Sequence, residues 1–254
     1  MNARRQTSIK VPAPSFANGH RFTSAFTLVE IMVVVGLIAI LVGVAAVALK
    51  GRATEGVALA NAQVQLKALV GAARAQAALH QTRARLLVYA QPPPGGNAAK
   101  YLRYLQVVRE ETDARGQMIW VSAGDPLTLP APICVVPPAP IPTTHLNTGV
   151  TWNNNIANGP VSVLTAESAF NIRGQINGAN QLFGGTGGGR VYYLQFDATG
   201  AVTSNLSANP TKIALTTAVL SAAAVPRFNN ANGVRGLLIR KTGAISLVNE
   251  ATGF

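Results

Sequence analysis

The hydrophobic positions of the chain fall into three successive patterns. Residues 26–49 are an apolar run that contains one charged residue, Glu30. Residues 50–81 repeat apolar and small side chains at gaps of three and four. After residue 82, short β-branched and aromatic runs alternate with turn-forming residues. The patterns predict a membrane-spanning helix, an amphipathic helix and a β-rich region, in that order.

The apolar run is long enough to predict a transmembrane helix. Its 24 residues would rise about 36 Å, and a hydrocarbon core is about 30 Å thick. The apolar region of a secretory signal peptide has only about 7–15 residues, so an anchor is favoured over a cleaved signal. Four basic residues and no acidic one precede the run, which predicts a cytoplasmic N-terminus with the remaining chain outside: Arg4, Arg5, Lys10 and Arg21.

Glu30 has two interpretations that its position alone does not separate. It lies only about 6 Å along the predicted helix from Phe26, within reach of the lipid headgroups. Alternatively, it awaits a cation supplied by a partner, as ionisable groups inside membranes commonly do.

The amphipathic stretch predicts a helix that packs on a domain through one face. The members of that face are spaced by three or four residues: Leu59, Ala62, Leu66, Leu69, Ala73 and Ala77. Polar residues occupy other positions: Gln63, Lys67, Arg74 and Gln81. Together with the apolar run, this stretch predicts one helix of roughly 55 residues and about 80 Å.

The β-rich region begins with three runs that predict an antiparallel meander on the helix, at residues 84–90, 101–108 and 117–121. Residues 126–145 contain seven prolines and predict an edge strand or an extended loop.

The second half of the β-rich region starts with a stretch rich in Asn and Gly, residues 147–189, which predicts a long loop region. Two later segments, 191–204 and 236–249, predict strand-turn-strand hairpins.

Candidate chemistry is sparse. His20, His80 and His145 lack metal-ligand spacing, and Cys134 has no second cysteine with which to form a disulfide. The glycine-rich stretch 184–190 lacks the Lys-Ser/Thr of a phosphate-binding loop and precedes a strand. We therefore expect no catalytic residue, no metal and no cofactor, which argues against the alternative of a tethered enzyme.

The net charge is +12, of which +8 remains after the four basic residues that precede the apolar run. This excess is spread out, so a solvated basic surface is the simple interpretation. A candidate polyanion patch near the C-terminus nevertheless contains Arg227, Arg235, Arg240 and Lys241, and such a patch would bind DNA by neutralising phosphates.

The string A-F-T-L-V-E at residues 25–30, behind a basic leader and ahead of an apolar run, resembles the type IV prepilin motif. The resemblance implies that a prepilin peptidase cleaves between Ala25 and Phe26 and methylates Phe26. It also implies that Glu30 faces the new amine of a neighbouring subunit during assembly. Ala25 stands where the family usually has glycine.

The resemblance further implies an α+β, pilin-like fold, in which a long helix with a membrane half and an amphipathic half packs on an antiparallel sheet. Residues 1–25 would be the leader, 26–49 the transmembrane part, 50–81 the amphipathic part and 82–254 a periplasmic domain. The late hairpins are similar to those of H-type minor pseudopilins and FimT-like minor pilins.

The implied function is that of a minor pseudopilin-like subunit of a type II secretion pseudopilus, which supports protein export. The alternative is a minor type IV pilin that serves pilus assembly, adhesion or DNA uptake. The implied partners are prepilin peptidase, other pilin-like subunits, an inner-membrane assembly platform and the lipid bilayer. The implied location is the inner membrane, crossed once.

Overall fold

A computed structural model of the chain describes residues 28–93, 95–172, 189–204 and 210–254. The predicted leader, Ala25 and Phe26 lie outside the described residues, as does most of the glycine-rich stretch 184–190. The chain divides into two compact units, Met1–Leu49 and Lys50–Phe254, which are described separately below.

Helix α1 comprises Leu28–His80 and supplies residues to both units. In the first unit, side chains are described for Val29 and for residues 31–38, and all of these are exposed. The backbone of Glu30 lies in this helix, but its side chain is outside the described set.

The predicted membrane span requires correction. Among the residues that the structure describes, no helix combines the length and the apolarity that crossing a bilayer demands. The transmembrane assignment of residues 26–49 and the single-pass inner-membrane location with a periplasmic domain are therefore wrong by this finding.

In the second unit, α1 buries a stripe of small and apolar side chains. The buried members recur at gaps of three and four: Leu59, Ala62, Leu66, Val70, Ala73 and Ala77. Leu69, which we expected in this stripe, is only partly buried and packs at its border. The helix ends at His80, and Gln81 follows in the left-handed region with a φ of 53°.

Eleven strands are described in the second unit. Their bounds are β1 Ala84–Tyr89, β2 Tyr104–Thr112, β3 Met118–Ser122, β4 Leu127–Thr128, β5 Ile133–Val135, β6 Thr165–Phe170, β7 Gly189–Phe196, β8 Thr211–Leu220, β9 Pro226–Phe228, β10 Val234–Ile239 and β11 Ile245–Val248. Short 3₁₀ turns occupy Thr143–His145 and Ala251–Gly253.

The strands form two sheets. The first sheet has the order β3-β2-β1-β7-β6, with β4 also paired to β2. The second has the order β11-β10-β8-β5, with β9 also paired to β8. All of these strand pairs are antiparallel, so the meander of β1, β2 and β3 and the final hairpin of β10 and β11 are confirmed.

The expected fold class is wrong for this unit, which is mainly β and not a helix on a single antiparallel sheet. The two sheets together make a half-barrel around the buried stripe of α1. The expectation failed because β5 lies among prolines, yet it is buried and pairs with β8 about eighty residues later. Strand β6 likewise lies in the stretch that we expected to be loop.

Two apolar clusters hold the unit together. The first lies between α1 and the inner faces of both sheets and includes Leu66, Leu86, Leu194 and Leu237. The second covers the other faces of the strands and includes Trp152, Phe228 and Phe254. The proline-rich and Asn-rich segments therefore contribute to a core, and both clusters lie wholly within residues 59–254.

Candidate assembly interface

The first unit presents an apolar surface that its described residues leave uncovered. Eight large apolar side chains are between 47% and 68% exposed: Val29, Ile31, Met32, Val33, Val34, Val35, Leu37 and Ile38. Most are consecutive, and successive helical residues point about 100° apart, so they surround the helix. Covering the exposed part of one such side chain contributes roughly 0.7–2 kcal/mol, which makes this segment the strongest candidate interface among the described residues.

A second apolar surface lies on α1 within the other unit. Val57, Val64 and Leu79 are 62%, 60% and 75% exposed, and the exposed residues Ala68 and Ala75 share their side of the helix. This outer stripe lies about opposite the buried stripe, given 3.6 residues per turn. Sequence reasoning missed it, although gaps of seven, four and seven from Val57 through Val64 and Ala68 to Ala75 carry the signal.

Gln63 determines which side of α1 remains outside. Its side chain is 3% exposed, and its Nε2 donates hydrogen bonds to the carbonyl oxygens of Gly236 and Val248, both at 2.8 Å. These carbonyls belong to paired residues of β10 and β11. One buried amide therefore fixes the rotation of the helix against the second sheet and leaves the outer stripe exposed.

The residues of the prepilin motif cannot be placed against one another. Ala25 and Phe26 lie outside the described residues, and of Glu30 only the helical backbone is described. The pairing of Glu30 with the amine of a neighbouring Phe26 remains a prediction.

The predicted polyanion residues do not lie together, and only Arg240 and Lys241 are neighbours. Arg235 lies opposite Leu215 and Arg227 opposite Val219, so four residues of β8, roughly 14 Å, separate these two arginines. Arg240 and Lys241 occupy the turn beyond the end of β10, roughly 17 Å from Arg235 at ~3.4 Å per strand residue. Within the described parts of the chain, none of the four forms an ion pair. The structure thus does not assemble one four-residue patch, and polyanion binding by these residues stays a prediction.

Two histidines, His80 and His145, and the cysteine show the environments of structural residues, whereas His20 lies outside the described residues. Tyr101 Oη lies 2.9 Å from His145 Nε2 in a buried pair, and burial lowers the pKa of His145. Burial raises the pKa of the Cys134 thiol to about 12, which leaves it a protonated, unreactive group near neutral pH. His80 is exposed beside Arg109. Across the described ranges, no group of three His, Cys, Asp or Glu side chains is arranged to hold a metal ion.

Comparison with known proteins gave no match to a family model, to a curated protein or to a solved structure.

Proposed function

We propose that this chain is a filament subunit of the pilin-like class, working as a minor pseudopilin-like subunit of a type II secretion pseudopilus that supports protein export. The observation that carries the proposal is the apolar segment Val29–Ile38, whose described large side chains are between 47% and 68% exposed. A helix that is apolar on all sides is stable when other apolar surfaces enclose it. The helices of sister subunits provide such surfaces.

The prepilin-like string at residues 25–30 supports the same proposal. A carboxylate enclosed by apolar helices is strongly unfavourable unless a cation neutralises it. Cleavage before Phe26 creates such a cation, because a free α-amine has a reference pKa of about 7.7–8.0. Glu30 of one subunit then selects the axial position of its neighbour.

The outer stripe of α1 supports helix packing beyond the apolar segment. Alanines at positions 68 and 75 permit the axis of a second helix to approach closely, because the distance between packed helices depends on the side chains at the contact. Val64 lies about one helical turn before Ala68 and adds exposed apolar area to the same surface.

The second candidate is a minor type IV pilin that binds DNA. Arg240 and Lys241 favour it, since both are exposed at the turn of the final hairpin. Retardation of duplex DNA by the purified protein, lost in Arg240→Ala/Lys241→Ala and weakened steeply by salt, would support this candidate. Absence of retardation at micromolar protein would reject DNA binding.

The proposal is tested by incorporation of Glu30→Leu into complexes with the sister subunits. The full-length variant is produced together with those subunits, and its capture is measured by site-directed crosslinking. We expect a loss of at least about tenfold, because an apolar side chain cannot recognise the amine. Glu55→Leu, which removes an exposed carboxylate of the same helix, is the matched control. Normal capture of Glu30→Leu would reject the proposed assembly mechanism.

A further inference from the structure

A cleft of about 430 Å³ opens between the two edge strands of the first sheet, β3 and β6. Three successive residues of β3 line it, Met118, Ile119 and Trp120. Met118 and Trp120 point to one face of the sheet, with the backbone of Ile119 between them. Because β3 is the last strand of this sheet, the cleft lies beside a sheet edge. Glu167 and Ile172 lie on the opposite side of the cleft.

The register identifies which backbone groups of β3 point away from β2. The N–H of Asp113 donates to the carbonyl of Gln117 and the N–H of Ala123 to that of Val107, both at 2.9 Å. In an antiparallel ladder, hydrogen-bonded pairs alternate with non-bonded pairs, so the odd-numbered residues of β3 bond to β2. The N–H and C=O groups of Met118 and Trp120 therefore point away from the sheet.

These outward groups are open to a partner. Within the described residues, β3 pairs with β2 alone, and the backbone groups of Met118 and Trp120 have no hydrogen-bond partner. The strand reads MIWVS and has neither proline nor a charged residue, the usual features that block pairing at an edge. Met118 is also 56% exposed.

The side chains around this edge are held in place. The guanidinium carbon of Arg85 lies 4.2 Å from the ring centroid of Trp120 and 3.9 Å from that of Tyr193. Arg85 Nη1 donates to Glu167 Oε2 at 2.8 Å and Arg85 Nε to Gln195 Oε1 at 2.8 Å. The Glu167 side chain remains 38% exposed. Because ring and carboxylate are fixed in advance, a ligand gains contacts without ordering them.

We propose that the cleft binds an extended segment of another protein, which adds as a strand to the free edge of β3. Backbone pairing to Met118 and Trp120 supplies the main hydrogen bonds, and alternate side chains supply specificity. The segment carries apolar residues beside Met118 and Trp120, and one lysine or arginine on the same face to reach Glu167. Because Glu167 and Ile172 of the opposite side bound the cleft, it admits a single strand better than the sheet edge of a second copy. This binding does not depend on the filament proposal.

The test uses the full-length protein and the heptapeptide acetyl-Val-Thr-Lys-Thr-Val-Thr-Val-amide, whose apolar and basic residues share one strand face. We expect saturable binding, measured by fluorescence anisotropy, and slower hydrogen exchange at the amides of Met118 and Trp120. Met118→Pro removes an outward N–H and leaves the bonds to β2 intact, so it should weaken binding by about tenfold or more. Glu167→Gln should weaken binding of the lysine peptide more than binding of an analogue in which glutamine replaces the lysine.

Met118→Leu is the matched control, since it keeps the N–H and should bind within about twofold of the unaltered protein. A cooperative thermal unfolding transition is required of each variant, as a check that it is folded. The proposal is overturned if the peptide does not bind, if a scrambled peptide without alternation binds equally, or if Met118→Pro binds normally. It is also overturned if the Met118 amide becomes protected with rising protein concentration alone, because β3 would then pair with a second copy.

Discussion

Gln63 shows how one side chain can set the surface that a helix presents. Its polarity and its place in the repeat predicted a solvent-facing residue, yet it is buried and bonded to two strand carbonyls. Helical spacing places Gln63 beside the buried stripe, four residues after Leu59 and three before Leu66, whereas Gln65 lies further round the helix and is exposed. The acceptors that bind the buried amide belong to β10 and β11, more than 170 residues later along the chain.

Gln63→Leu should lower the free energy of unfolding by about 1–3 kcal/mol, because two buried carbonyl oxygens lose a donor. Chemical denaturation measures this loss. Gln65→Leu, an identical change at the exposed neighbour, should alter stability by no more than about 0.5 kcal/mol. Equal effects of the two substitutions would show that Gln63 does not anchor the helix.

His145 should make the stability of the domain depend on pH. Burial lowers its pKa in the folded protein, whereas the unfolded chain has a histidine pKa of about 6.5. The unfolded state therefore binds a proton first as the pH falls, and stability declines below about pH 6.5 until the folded pKa is passed.

The measurement is the free energy of unfolding between pH 7.5 and pH 5. His145→Phe should remove this group's contribution to the dependence of the unfolding free energy on pH. That contribution is at most about 1.4 kcal/mol per pH unit. His80→Gln, a substitution at an exposed histidine, is the matched control. An unchanged slope in His145→Phe would assign the pH dependence to other groups.

At the scale of elements, strands with strong local patterns were predictable and short strands among prolines were not. The runs at 84–90 and 117–121 gave β1 and β3, because β-branched and aromatic residues lie between turn residues there. Strand β5 has three residues, and only its pairing with β8 makes it a strand. Such pairing depends on tertiary structure, which a local window does not contain.

The candidate interfaces also differ in whether the sequence alone reveals them. The exposed apolar residues of α1 are visible in the sequence as a run and as a second stripe. The free edge of β3 is not, because identifying an edge requires the order of all the strands. The sequence also suggested four basic residues as one patch, and the register of β10 separated them.

The outer stripe yields a prediction for Ala68→Glu. A charge in the middle of an apolar helix contact is costly when it is buried without a partner, so the variant should fold normally but crosslink poorly to sister subunits. Ala78→Glu makes the same chemical change at an exposed position about 70° from the stripe centre and serves as the control. Equal crosslinking of both variants would remove the stripe from the interface.

At the scale of the molecule, the mainly β unit, Lys50–Phe254, is compact and contains both apolar clusters. The expected α+β fold, a long helix on an antiparallel sheet, was wrong because closure of two sheets into a half-barrel depends on pairings between distant segments. The exposed apolar segment of the first unit has no such pairing among the described residues. That exposure is the basis of the filament proposal.

The most direct test of that proposal is the mass of the mature N-terminus in cells that contain the whole assembly system. We predict a chain that begins at Phe26 with one methyl group on its amine, and Ala25→Leu, which enlarges the small residue before the cut, should accumulate uncleaved. A functional protein that retains Met1 would contradict the account, because Glu30 would then have no Phe26 amine to meet.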